Sequence, residues 1–211
     1  MVRVIITATA SRPLPEMDLA DLAAREAIRD CLYRYCRGVD RADEAALRSA
    51  YWPDATDRHG PYQGDADGFV VWAMTALRQA ERSIHRITNV LIAFDDADTA
   101  RVESCFDARQ RQPDPAGRMR QWDLGGRYLD RFEQRGGAWR IADRLVVYDW
   151  VEEMPVPHGG EAERFGGRQP IGAPFPHDPL YAFLRHERVT DPAIDRQRLA
   201  GDEAGTVGRE P

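Results

Sequence analysis

The sequence predicts an α+β fold: a cone-shaped, strongly curved antiparallel sheet of four strands, with three N-terminal helices enclosing a pocket. Three observations carry this expectation. Apolar residues recur at helical spacing up to about residue 82. From residue 83 the period switches to strands, joined by the turn-rich segments DDAD and RGG. Gly125 and Gly126 lie inside a strand, where a sharply bent sheet needs a bulge. Helices gathered on one face of an antiparallel sheet form a common layered solution. A sheet curled around an apolar cavity is a natural small-molecule site.

Residues 1–17 read as a flexible leader ending in Pro13 and Pro15. Its apolar run is too brief to span a membrane, and a short signal peptide is the alternative to a cytoplasmic location. Asp18 caps a first helix, with Leu19, Leu22, Ile28, Cys31, Leu32, Tyr35 and Val39 on its apolar stripe. Asp43 caps a short second helix over EAALRSAYW, closed by Pro53. ATDRHGPYQG reads as a short strand and turn. Asp65 then caps a third helix over about 66–82, with Phe69, Val70, Ala73, Met74 and Leu77 facing inward.

SIHRITNVLIAFD and TARVESCFDARQRQ form a long hairpin, PDPAGR a loop, and MRQWDLGGRYLDRFEQ with AWRIADRLVVYDWVEE a second hairpin. Past Glu153 the composition shifts to PVPHGG and FGGRQPIGAPFPHDP, with only DPLYAFLRHER able to form a short helix. The division is therefore a leader over 1–17, a cone domain over 18–153, and a Pro/Gly-rich C-terminal extension over 154–211. The extension cannot build a core of its own; it drapes over the domain, joins a subunit contact, or stays disordered. No internal repeat is present.

Composition narrows the chemistry. The 211 residues carry 29 basic against 35 acidic side chains, a net charge of −6, and every basic residue is arginine. Without lysine there is no protein imine, no pyridoxal-phosphate anchor and no P-loop ammonium. The acidic balance argues against a nucleic-acid partner. Cys31, Cys36 and Cys105 sit in periodic segments and read as small buried hydrophobes. No Cys/His metal spacing occurs, so neither metal nor cofactor is expected.

REAIRDCLYRYCRGVDRADEAALRSAYWPDA, then IHRITN, then GRYLDRFEQRGGAWRIADR, together resemble the SnoaL-like branch of the nuclear-transport-factor-2-like superfamily, over about residues 18–151. That superfamily holds dehydratases, a dehydrochlorinase, isomerases, cyclases, dioxygenase β subunits and non-catalytic transport factors. The resemblance implies an Asp–His dyad from GVDR and IHRITN, which assigns Asp40 and His85 as catalytic. Read from the residues alone, Asp40 is equally a turn residue and His85 a polar residue of an edge strand. Tyr35, five residues before Asp40, matches a catalytic tyrosine of the bile acid dehydratase pattern, although it also falls on the apolar stripe. Asp107 matches a further acid of that pattern; the alternative is a solvent-facing partner of Arg109 or Arg127. Arg144 matches an active-site arginine of the dehydrochlorinase, the alternative being a surface ion pair with Asp143 or Asp123.

Trp52 and Trp72 are the expected pocket walls, and Asn89, which closes IHRITN, joins the substrate-binding set with Arg144 and Asp107. His59 is either a second cavity histidine or a surface turn residue. His158, His177 and His186 do not make a metal site.

The expected function is a cofactor-independent, dehydratase-like lyase. His85, supported by Asp40, removes a proton and eliminates water, or a related group such as formaldehyde, from a cyclic or aromatic hydrophobic substrate. Aromatic and steroid catabolism are the natural settings. The alternatives are an isomerase or cyclase of the same fold, and a non-catalytic binding or partner subunit. The expected partner is the small hydrophobic substrate alone, without nucleic acid or membrane. The resemblance also implies a homo-oligomer, a trimer or a dimer.

Overall fold

In a computed structural model, residues 18–186 are described; the leader and residues 187–211 of the extension lie outside the described residues. Eleven elements follow in order: α1 (Leu19–Arg41), α2 (Glu44–Ser49), β1 (Tyr51–His59), β2 (Tyr62–Asp65), α3 (Ala66–Leu77), β3 (Arg82–Phe94), β4 (Thr99–Pro113), β5 (Met119–Arg135), β6 (Ala138–Met154), α4 (Glu161–Phe165) and α5 (Pro179–Leu184).

All three expected caps form. Asp18 accepts from the Asp21 amide at 2.8 Å, Asp43 from Ala46 at 3.0 Å and Asp65 from Gly68 at 2.7 Å, each answering a free amide of a first turn. Two helices end sooner than the periodicity suggests. Trp52 precedes Pro53, which restricts it to extended backbone, so Tyr51 and Trp52 open β1 instead of closing α2. α3 stops at Leu77, and at Glu81 the amide already donates to the Arg111 carbonyl, drawing the chain into the sheet.

The sheet has six strands in the order β2-β1-β6-β5-β4-β3, two more than expected. ATDRHGPYQG is part of it, and β1 pairs with β6 in parallel, so the sheet is mixed. Everything from β6 to β3 is antiparallel. Registers shift between Gly125 and Gly126 and between Arg131 and Phe132, and these bulges bend β5 over the helices. α1 and α3 cover the concave side. There Ile28, Leu32, Phe69, Met74, Phe132 and Ile141 are almost wholly withdrawn from water. Burial pushes the Cys31 thiol up to about 11 and the Cys36 thiol to about 12, so both remain protonated, and no disulfide forms among the described residues.

The bulge requires glycine. A Cβ on Gly126 would lie 2.0 Å from the Val147 carbonyl oxygen, and backbone cannot swing aside as a side chain does. Gly126→Ala is therefore expected to destabilise the fold by about 2–3 kcal/mol, the usual range for overpacking. Urea unfolding measures this; a loss below about 0.5 kcal/mol, the level of a neutral surface change, would mean the bulge relaxes freely.

The extension packs against the α1–α2 junction. Tyr181 donates to Asp43 at 2.8 Å, the Phe175 amide donates to the Arg41 carbonyl at 2.6 Å, and Asp178 pairs with Arg41 at 3.0 Å. α4, which the periodicity does not reveal, lies beside β3 through an Arg82–Glu161 pair at 2.6 Å.

Candidate active site

Asp40 lies in the last turn of α1, and His85 lies near the start of β3, on the same side of the strand as buried Ser83. Packing α1 across β3 brings them together. His85 Nδ1 is 2.7 Å from Asp40 Oδ1, and the His85 backbone amide donates to Asp40 Oδ2 at 3.0 Å. One carboxylate thus holds both the ring and its strand. Their side chains are 7% and 11% exposed, enough to be reached from a cavity but not from bulk solvent. An ionised carboxylate only accepts hydrogen bonds, so a neutral His85 carries its proton on Nδ1 and leaves the Nε2 lone pair free.

His85 faces a cavity of about 150 Å³ between α1, α3 and the sheet. Its walls are largely aromatic: Tyr35, Phe69, Trp72, Phe106, Tyr128 and Tyr148. Gln110 and Gln112 bring amides from β4. Tyr35 is 1% exposed, and burial pushes its phenol far above the ordinary value, with the Arg144 charge opposing. It is therefore a neutral hydroxyl at physiological pH. Asp40 also borders a second hollow of about 420 Å³, roofed by Phe165, Ala173 and Pro174 of the extension, so the dyad stands between two spaces. The smaller one contains the histidine and the apolar walls.

His59 lines the same cavity, which settles its two sequence readings in favour of the interior. Its ring stacks on Phe69 with centroids 4.8 Å apart. Trp72 is a wall as expected, while Tyr33, on the other side of α1, is half exposed.

Four expected substrate contacts are not in this cavity. Arg144 is wholly buried: its guanidinium makes two 2.7 Å bonds to Asp130 and sits between the rings of Tyr35 and Tyr128, 4.2 and 4.0 Å from their centroids. It stands behind the cavity wall. Both of its alternative surface partners are occupied, Asp143 by Arg58 and Asp123 by Arg109. Asp107 is exposed on the convex face, because β4 alternates without a break and it is Phe106 and Ala108 that point inward. Trp52 packs against the edge of the core away from this cavity, donating to the Glu133 carbonyl at 3.0 Å beneath the guanidinium groups of Arg135 and Arg140. Asn89 is exposed at a register shift in β3, where its φ of 48° serves the bulge.

Three buried acid–base residues escape a reading by motif: Asp57, Asp130 and the Tyr51 hydroxyl that donates to Asp57 at 2.6 Å. A signal existed. Asp130 alternates with Tyr128 and Phe132, and Asp57 follows Ala55 by two, so each occupies a core position of its strand. Among the described residues no group of three or more His, Cys, Asp or Glu is arranged to hold a metal ion, and no helix is long and apolar enough to cross a membrane.

The family model for the SnoaL-like domain matches residues 20–145. The chain belongs to the SnoaL-like family. A curated relative, hexachlorocyclohexane dehydrochlorinase 1 of Sphingobium indicum, is 29% identical over 133 residues, covering 59% of this chain and 81% of its own. The gamma-hexachlorocyclohexane dehydrochlorinase of the same species is 27% identical over 149 residues, covering 67% and 90%. Among solved structures, a hexachlorocyclohexane dehydrochlorinase of type 2 superposes with a TM-score of 0.60 at 22% identity, over 67% of this chain and 96% of that one. A putative scytalone dehydratase of Novosphingobium aromaticivorans gives 0.56 at 18%, over 72% and 98%. These structural likenesses show that the SnoaL-like domain here shares the fold of those structures.

Proposed function

We propose that this SnoaL-like domain is a cofactor-independent lyase in which His85 removes a proton and a small group is eliminated from a hydrophobic ring compound. The observation that carries the reading is the 2.7 Å contact between Asp40 and His85 at the edge of an aromatic-walled cavity. Nε2 takes a proton from an acidic C–H, and Asp40 stabilises the imidazolium that results. Tyr35, held neutral, donates its hydroxyl to the oxygen on which charge develops. The curated relatives are named as dehydrochlorinases, enzymes of elimination, which supports the reaction class.

Cavity size bears on substrate class. A space of about 150 Å³ suits a single ring, since an engineered cavity of ~150 Å³ takes up benzene. A one-ring aromatic or alicyclic compound therefore fits better than a steroid.

Incubating the protein with single-ring aryl hydroxy ketones and aryl-propanoid diols, with product masses read by mass spectrometry, tests the proposal. Loss of one water or one formaldehyde is the expected result. A product of unchanged mass would make the chain an isomerase. Binding without any product would support a non-catalytic subunit.

A further inference from the structure

We propose that His59, backed by Asp57, is the catalytic acid of the same cavity: it protonates an oxygen leaving group while His85 takes the substrate proton. The substrate class is then a β-hydroxy compound and not a halide. This rests on the lyase reading and deepens it.

The geometry begins on β1, where Asp57 and His59 are two residues apart and share the inward side of the strand. Asp57 is wholly buried, and Tyr51 donates to its Oδ2 at 2.6 Å. Its Oδ1 has no hydrogen-bond partner, nor has His59 Nδ1, yet these two buried atoms are 3.3 Å apart. Each is the other's nearest remedy. Asp57 Oδ1 can only accept, so this contact places a proton on His59 Nδ1. The ring's other nitrogen, Nε2, receives no hydrogen bond from any described residue, and the side chain is 15% exposed. That exposure opens onto the cavity His85 also lines.

The sheet order places β6, β5 and β4 between β1 and β3. The two histidines therefore reach the cavity from opposite ends of a curled sheet, each with its own aspartate. Two imidazoles with separate carboxylates suit two proton transfers in one turnover. His85 Nε2 accepts the proton from carbon, the C–H electron pair forms the new double bond, and the C–O bond breaks. The Nε2 proton of His59 passes to the departing oxygen, releasing water. Solvent then takes the proton from His85 and returns one to His59, so charge and atoms balance. Chloride leaves as a stable anion and needs no such donor; hydroxide does.

The test uses the aldol adduct of benzaldehyde and acetone beside its β-chloro counterpart, which share the acidic carbon and differ in the leaving group. Wild type is expected to dehydrate the hydroxy ketone. His59→Gln is expected to lower that rate about a hundredfold while changing the chloro compound less than about threefold, and His85→Gln to lower both. Equal losses on both substrates in His59→Gln, no loss on either, or a wild type that eliminates only chloride would each overturn the assignment. Loss in His59→Gln with none in His85→Gln would leave the acid standing and remove the base. Nitrogen-15 spectra of the wild-type histidine rings, with phenol as probe, need no turnover and no variant. Phenol is expected to shift Nε2 of both His59 and His85; a response from His85 alone would overturn the role of His59.

Discussion

His85→Ala is expected to lower kcat/KM by at least about a hundredfold on any substrate the protein turns over, and Asp40→Asn by a similar factor, the usual scale for a general base. The aspartate is more exacting than its distance from the chemistry suggests. Its two oxygens accept from two donors, the His85 ring at 2.7 Å and the His85 amide at 3.0 Å. An asparagine has a single accepting oxygen, so it satisfies one donor and turns its amide toward the other. If that amide faces the ring, Nδ1 becomes the acceptor and the proton moves to Nε2, where the base is needed. If it faces the backbone, β3 loses its tie to α1. Steady-state kinetics with circular dichroism as a check on folding measures the effect. Unchanged turnover in a folded His85→Ala would remove the residue from the reaction.

Asp130→Ala is expected to destabilise the protein by about 3–5 kcal/mol, the cost of leaving one partner of a buried ion pair alone. Arg144 is fully buried, and Asp130 receives two of its N–H groups, while Nη1 has no partner. Burial opposes the charge on this guanidinium, yet the adjacent carboxylate keeps its pKa well above the ordinary arginine value. The rings of Tyr35 and Tyr128 offer only their faces, and Asp57, opposite Arg144 across the β1–β6 pairing, is engaged by the Tyr51 hydroxyl. At about 2–4 °C per kcal/mol for a chain of this length, the melting temperature should fall by roughly 10 °C. Replacing both partners, Asp130→Leu with Arg144→Met, should recover most of the loss, because the unpaired charge is gone. A single-variant loss under about 1 kcal/mol would show that water reaches the guanidinium.

These two expectations mark how far the sequence can be read. Caps were legible because Asp18, Asp43 and Asp65 act on amides three residues away. The Gly125–Gly126 bulge was legible because only glycine fits it. The meeting of Asp40 with His85, 45 residues apart, was legible only through the family resemblance. Arg144 was misplaced because register decides its partner. With Phe132 opposite Ile141, an unbroken hairpin sets Asp130 against Asp143; the bulge between Arg131 and Phe132 slips it by one and brings Arg144 opposite. The parallel pairing of β1 with β6 was hidden for a similar reason. Nothing local in YWPDATDRH, with its proline and charges, announces a partner some ninety residues on.

The central claim is that His85, held by Asp40, is the base of the 150 Å³ cavity. A crystal structure of the wild-type chain soaked with its own elimination product tests it most directly. The expected result is the product's ring among Tyr35, Trp72 and Tyr148, with the carbon that lost its proton about 3–3.5 Å from His85 Nε2. A product seated instead in the larger hollow beneath Phe165 and Pro174, with His85 Nε2 turned away from it, would contradict the account.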